Sequence, residues 1–169
     1  MASIQDIRSV ETPQRAYEWE VELNGGSTSG NLPILTQRAQ NVSIPEISVE
    51  TIEINYKSRK SLYAGRDASP HTVTVTFWDS ESHDVYNFFR DWIAGISDPF
   101  QGGGDDRGSY AAEMIIRKFA HDSTTETGKN VFTKVFPTSL GEVSLNYEGS
   151  EHMTFDVTFS YDENVSEGS

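Results

Sequence analysis

Short runs of this chain alternate apolar and polar residues with a period of two, and one longer run repeats near 3.6. Tyr17, Trp19, Val21 and Leu23 alternate with Glu18, Glu20 and Glu22, which predicts a strand with one apolar and one acidic face. A buried unpaired carboxylate is costly, so those glutamates must meet water or a basic partner. Residues 51–56 set Ile52, Ile54 and Tyr56 against Thr51, Glu53 and Asn55. Residues 71–77 form the cleanest strand, with Val73, Val75 and Phe77 inward and Thr72, Thr74 and Thr76 outward. At the C-terminal end Met153, Phe155, Val157, Phe159 and Tyr161 alternate with Thr154, Asp156, Thr158 and Ser160. Further strands are expected near residues 112–120, 130–136 and 142–147. Residues 32–42 read as a mixed strand, with Leu35 and Ala39 on one face and Thr36, Arg38 and Gln40 on the other. Pro33 sets its start at a sheet edge. Val85, Phe88, Phe89, Trp92, Ile93 and Ile96 lie on one stripe of a helix, with Asp79 or Ser80 as its cap and Gly95 near its end.

Between these elements, residues 24–27, 57–67, 97–109 and 122–129 are polar or glycine-rich and read as turns and loops. Pro137 and Gly141 mark a corner, because proline removes a backbone donor and glycine permits a tight reversal. The expected fold is therefore mainly β: an antiparallel sandwich or barrel of about eight strands with one flanking α-helix. Residues 1–15 form an N-terminal arm, 16–163 the β domain with a glycine-rich insertion at 97–109, and 164–169 a loose C-terminal tail.

Composition narrows the function. The chain has 169 residues, 13 Lys and Arg against 26 Asp and Glu, and a net charge of −13. That balance argues against a nucleic-acid binder, whose phosphate contacts need clustered cations. Nine Phe, seven Tyr and three Trp supply a real core. No run is long and apolar enough to span a bilayer, and residues 1–10 lack the layout of a signal peptide. The absence of cysteine excludes disulfides, thiolate catalysis and Cys-ligated zinc.

Candidate chemistry is thin. Residues 79–84 group three carboxylates and His83, as a metal site does, but the run straddles a helix start where such residues serve as caps. Gly102-Gly103-Gly104-Asp105-Asp106 lacks the alternating ligands of a calcium loop. The four histidines are scattered, and no nucleophile elbow exists. No enzyme, metal or cofactor is expected. The informative feature is Lys57, Arg59, Lys60 and Arg66, four of the 13 basic residues within ten positions, with Leu62 and Tyr63 among them. A solvated turn needs no apolar anchor, so this loop is a candidate contact for an acidic face of another copy.

Several segments, in order, resemble the tail tube proteins of contractile-tailed bacteriophages of the T-even type. They are Tyr63-Ala64-Gly65-Arg66, the strand at 72–77, the helix opening Glu81-Ser82-His83-Asp84 with Phe89 and Trp92 behind it, and the run from Phe136 to Val143. The final strand matches in pattern, and the similarity covers about residues 16–163. The resemblance implies a structural subunit of the virion tail, assembled in the host cytoplasm. It implies hexameric rings stacked head to tail, a tail sheath outside, baseplate and tail terminator proteins at the ends, and genome DNA passing through the channel without specific binding. It assigns Lys57, Arg59, Lys60, Leu62, Tyr63 and Arg66 to a ring-to-ring loop. The candidate channel lining is Thr36 and Gln40 with Thr51, Glu53 and Asn55, and Arg38 is tolerable there if paired with Glu53. The same fold serves secretion-system tubes, other contractile injection devices and baseplate tube initiators. Outside that class stands a monomeric β-sandwich module with a carbohydrate or peptide groove, using aromatics such as Tyr110 or Tyr147.

Overall fold

The computed structural model describes residues 14–26, 32–97, 104, 106–143 and 152–168. Among these residues the chain runs β1 (Trp19–Asn24), α1 (Leu32–Arg38), β2 (Ala39–Ser43), β3 (Val49–Tyr56), β4 (Arg59–Asp67), β5 (Thr72–Trp78), α2 (Asp84–Ile96), α3 (Arg107–Tyr110), β6 (Ala112–Phe119), β7 (Glu126–Leu140), β8 (Thr154–Ser160) and β9 (Glu163–Gly168). Seven strands pair antiparallel in the order β1-β6-β7-β8-β5-β2, with β9 also on β7, while β3 and β4 pair only with each other. The mainly β expectation holds.

Strand β7 belongs to two layers. Its first part pairs with β6 and β9, whereas Phe136–Leu140 pairs with β8. Between these parts Lys134 sits at φ 54, beside a register shift opposite Ala112 and Met114. An extra residue with left-handed backbone bends a strand and increases its twist. The fold-over brings Val21, Met114, Ile116 and Phe132 of one layer against Val75, Phe77, Val157 and Phe159 of the other in one buried cluster. Helix α2 adds Val85, Phe89 and Trp92. Phe89 lies 5.0 Å from Phe77 and 5.7 Å from Phe159 between ring centroids. Such aromatic pairs stabilise by about 0.5–1.5 kcal/mol beyond their buried area.

Several expectations are corrected. Residues 32–42 form α1 followed by β2 rather than one strand. Leu35 is buried and Ala39 partly so, and a spacing of four puts them on one side of a helix as well as a strand. Pro33 falls in the first helical turn, where a missing N–H costs nothing. The 57–67 loop is a two-residue turn, Lys57-Ser58, followed by β4. Pro137 does not end its strand. It pairs with Phe159 at a register irregularity, and the strand continues to Leu140. The expected loose tail is β9 up to Gly168, because its backbone completes the open side of β7. The end of the expected 97–109 loop enters a helical turn, Arg107–Tyr110, capped by the Asp106 carboxylate. The strand expected at 142–147 lies mostly outside the described residues, as does the arm expected at 1–15.

The acidic face of β1 finds its basic partner within the chain. Glu20 stands opposite Arg117 in register, and the Arg117 guanidinium donates to Glu22 and lies 3.4 Å from Glu126. Glu18 is buried, with its carboxylate 3.1 Å from His121 Nδ1. The Arg117 hydrogen bond holds the Glu22 carboxyl below its ordinary value of 4.5. A lowered carboxyl pKa stabilises the fold fully above the ordinary value, and that stabilisation fades as pH falls through the lowered one. Thermal melting of wild type should therefore weaken more steeply below pH 4.5 than that of Glu22→Gln. Parallel acid profiles for the two would remove Glu22–Arg117 from the acid-sensitive set.

Candidate functional site

Two surfaces stand out. The first is the β3–β4 ribbon. Its register sets Ile52 opposite Tyr63, Ile54 opposite Ser61 and Tyr56 opposite Arg59. Directly opposed residues share a face, so Ile52, Ile54, Tyr56 and Tyr63 make one apolar face. All four are exposed. On the other face Glu53 is opposite Leu62, Asn55 is opposite Lys60, and Glu53 pairs with Lys60. The Lys60 hydrogen bond, followed by that of Asn55, holds the Glu53 carboxyl below its ordinary value. At the tip Lys57 takes the left-handed φ of 53 that a two-residue hairpin turn requires, and its ammonium lies 5.5 Å from the Tyr56 ring centre. Arg59 and Arg66 have no ion pair among the described residues.

The root of the ribbon is fixed to the body. Ala68 N donates to Ser48 O at 2.9 Å, and Ser48 N to Ser69 Oγ at 3.2 Å. The Asp67 carboxylate accepts from Ser69 N at 2.9 Å and Ser69 Oγ at 2.6 Å. Those bonds from Ser69, with His71 3.5 Å away, hold its pKa below the ordinary range.

The second surface is the outward face of the β7-β8-β5-β2 layer. Thr74 Oγ1 meets Thr158 Oγ1 at 3.4 Å, and Thr76 Oγ1 donates to Asp156 at 2.6 Å. Thr72 stands opposite Ser160, and Asn41 and Ser43 of β2 stand opposite Thr76 and Thr74. This face carries hydroxyls and the Asn41 amide around one carboxylate, with Trp78 opposite Thr154 and Phe136 opposite Ser160. The free side of β2 forms one edge of the layer and the Phe136–Leu140 segment the other.

The expected lining residues do not converge. Thr51, Glu53 and Asn55 lie on the ribbon, Gln40 on β2, and Thr36 on α1, which packs against β1. Arg38 is not paired with Glu53. It lies 3.5 Å from Asp79 and 5.1 Å from the Trp78 ring centre. Arg59, Lys60, Leu62, Tyr63 and Arg66 share one exposed strand, β4, rather than a loop, and Lys57 lies in the turn that precedes it. Sequence reasoning did not single out Ile52, Ile54 and Tyr56 as contacts, or the threonines of β5 and β8 as a surface. Both signals were present as alternation. No cluster of three or more metal-ligating side chains occurs among the described residues.

The profile of the family described as phage tail tube protein matches residues 10–167. The chain belongs to that phage tail tube protein family. Tail tube protein gp19 of Enterobacteria phage T4 is 31% identical over 131 residues, covering 75% of this chain and 78% of its own. The corresponding gp19 of Enterobacteria phage T6 is 30% identical over the same length. Among solved structures, the tube-terminating cap of the anti-feeding prophage matches with a TM-score of 0.72 at 17% identity over the whole of both chains. A chain of the sheath-tube complex of an extracellular contractile injection system matches at 0.69 and 18%, also over both whole chains. At those identities the likeness is one of fold. Membership makes the chain a structural subunit of a phage tail tube and a virion component, with no enzymatic role. The tail tube resemblance read in the sequence is thereby established.

Proposed function

We propose that this tail tube protein builds the conduit of a contractile tail as hexameric rings stacked head to tail. The layer β7-β8-β5-β2 joins its two open edges to neighbouring copies and turns its hydroxyl face to the channel. Closing a ring consumes strand edges that a monomer would have to protect. The ribbon reaches another copy, which covers its apolar face, and a head-to-tail contact of this kind propagates as a filament. The tail sheath surrounds this tube, and baseplate and terminator proteins close its ends.

The observation that carries the reading is the chemistry of that face. The outward positions of β5 and β8 bear threonine and serine, with Trp78 at the end of β5, Asp156 as the charge, and no Lys or Arg among them. Each phosphate neutralised by a lysine adds salt-dependent affinity, so a basic lining would hold DNA at every ring. Neutral hydroxyls with a carboxylate let the polyanion slide. The lining is therefore reassigned from the five residues read in the sequence to Thr72, Thr74, Thr76, Asp156, Thr158 and Ser160.

Thr74→Lys with Thr158→Lys tests this. Tubes of normal length are expected, with genome delivery from reconstituted virions reduced by about tenfold or more, since each phosphate contact contributes to retention. Unchanged delivery through tubes carrying both lysines would place the lining elsewhere.

A further inference from the structure

A cleft of about 340 Å³ opens at the root of the ribbon, lined by Ile47, Asp67, Ser69, His71, Tyr161, Asp162, Glu163, Asn164 and Val165. It lies at the small end of the range for ligand pockets, about 300–1,000 Å³, and has room for one or two side chains. Its wall is apolar at Ile47, 78% exposed, and Val165, 46% exposed. Its rim is acidic. Asp67 is engaged with Ser69 and His71, and Asp162 pairs with Arg107 at 2.5 Å. Glu163 has no ion pair among the described residues. Exposed isoleucine and valine beside an uncompensated carboxylate call for a partner that is apolar and cationic together.

The same chain carries such a group. At the ribbon tip Tyr56 is exposed between Lys57 and Arg59, and Arg59 lacks a carboxylate. We infer that the cleft at the root of the ribbon receives the ribbon tip of a second copy, with Tyr56 against Ile47 and Val165 and Arg59 beside Glu163. The inference rests on the self-assembly reading and specifies where the ribbon lands. Tip and root lie at opposite ends of an element eight residues long, about 26 Å at 3.3 Å per residue. A contact joining one copy's tip to the next copy's root is heterologous, and such a contact propagates along a filament when its rotation does not close a ring. Another cleft of similar size, lined from β1, β2 and β6, carries Arg15 and Lys118 against the single carboxylate of Glu18, which His121 already engages, so its charge opposes a basic tip. Like charges brought together at an interface are strongly unfavourable.

Charge reversal on both sides tests the contact. Arg59→Glu and Glu163→Lys should each raise the protein concentration needed for tube formation about tenfold or more, and the double variant should recover to within a few-fold of wild type. Loss with Arg59→Glu but none with Glu163→Lys, or no recovery in the double variant, overturns the cleft as receptor while leaving ribbon docking intact. If neither reversal has an effect, ribbon docking itself falls. A readout that does not depend on Glu163→Lys folding uses the natural absence of cysteine. Arg59→Cys with Glu163→Cys should give a ladder of disulfide-linked copies from assembled tubes on a non-reducing gel. Arg59→Cys with Lys118→Cys should give none, because a disulfide needs Cα atoms within about 7 Å. A ladder from the Lys118 pair, or none from the Glu163 pair, overturns the inference.

Discussion

Ile52→Asp with Ile54→Asp leaves a folded monomer that no longer polymerises. These side chains are 52% and 53% exposed in the single subunit and sit on a ribbon that pairs with no other strand. A lone two-stranded hairpin is marginal in water, and an apolar face of this kind marks a surface that is covered in the working state. Burying an isoleucine side chain fully stabilises by about 1.5–3 kcal/mol, so half-exposed residues have about half of that left to gain on docking. The two aspartates also bring unpaired carboxylates into the contact. A loss of about 3–6 kcal/mol per subunit contact corresponds to about a hundred- to ten-thousandfold in association. The body should be untouched, since the core of β5, β8 and α2 contains neither residue. Sedimentation with electron microscopy reads the assembly, and the melting temperature of the monomer reads the fold. Tubes of wild-type length from this variant would end the case for the ribbon as an assembly arm.

Which parts of the fold were legible follows from which parts have two unlike sides. Strands β5 and β8 and helix α2 each press one face into the core, so Val73, Val75, Phe77 and Phe89, Trp92 had to recur at their element's period. The ribbon has no core side. Strand β4 is free to carry Arg59, Lys60 and Ser61 in succession, and nothing in its pattern distinguishes it from a loop. Strand β9 has a single apolar residue, Val165, and is held by backbone pairing to β7. Helix α1 was misread because Leu35 and Ala39 are spaced by an even number that also fits a helix. Pro137 was a valid breaker signal, but a proline at a register irregularity forfeits no ladder bond. For the candidate site, the basic cluster was visible as composition. The lining was not, because choosing it requires knowing which layer keeps open edges and which face of that layer points away from the core. Thr36 lies on α1 and Glu53 on the ribbon, away from the layer we propose, whereas Gln40 lies on β2 within it.

Asp79→Ala should be among the most destabilising single changes outside the apolar core. The Asp79 side chain is fully buried between β5 and α2. Its carboxylate accepts from Ser80 N at 2.9 Å and from Val85 N and Tyr86 N at 3.3 Å, and it lies 3.5 Å from Arg38 and 3.6 Å from His83. The residue flanking the helix start, His83, has φ 55 and offers no side-chain cap. Asp79 therefore supplies from four residues upstream the acceptor that the first turn lacks, at the end of the helix where negative charge is favoured. It also ties α1 to that point through Arg38, whose guanidinium packs over Trp78. Alanine leaves three backbone donors and a largely buried guanidinium without their acceptor, which costs about 3–5 kcal/mol. For a chain of this size that is a drop of about 6–20 °C in melting temperature. The second substitution Arg38→Met in the Asp79→Ala background should recover part of the loss, because it removes the orphaned cation while keeping the apolar stem over Trp78. The helix end so anchored carries Val85 and Phe89 into the core, so tubes built from Asp79→Ala subunits should also lose heat resistance. A melting temperature within about 2 °C of wild type would mean that water or a neighbouring group replaces the carboxylate at the helix start.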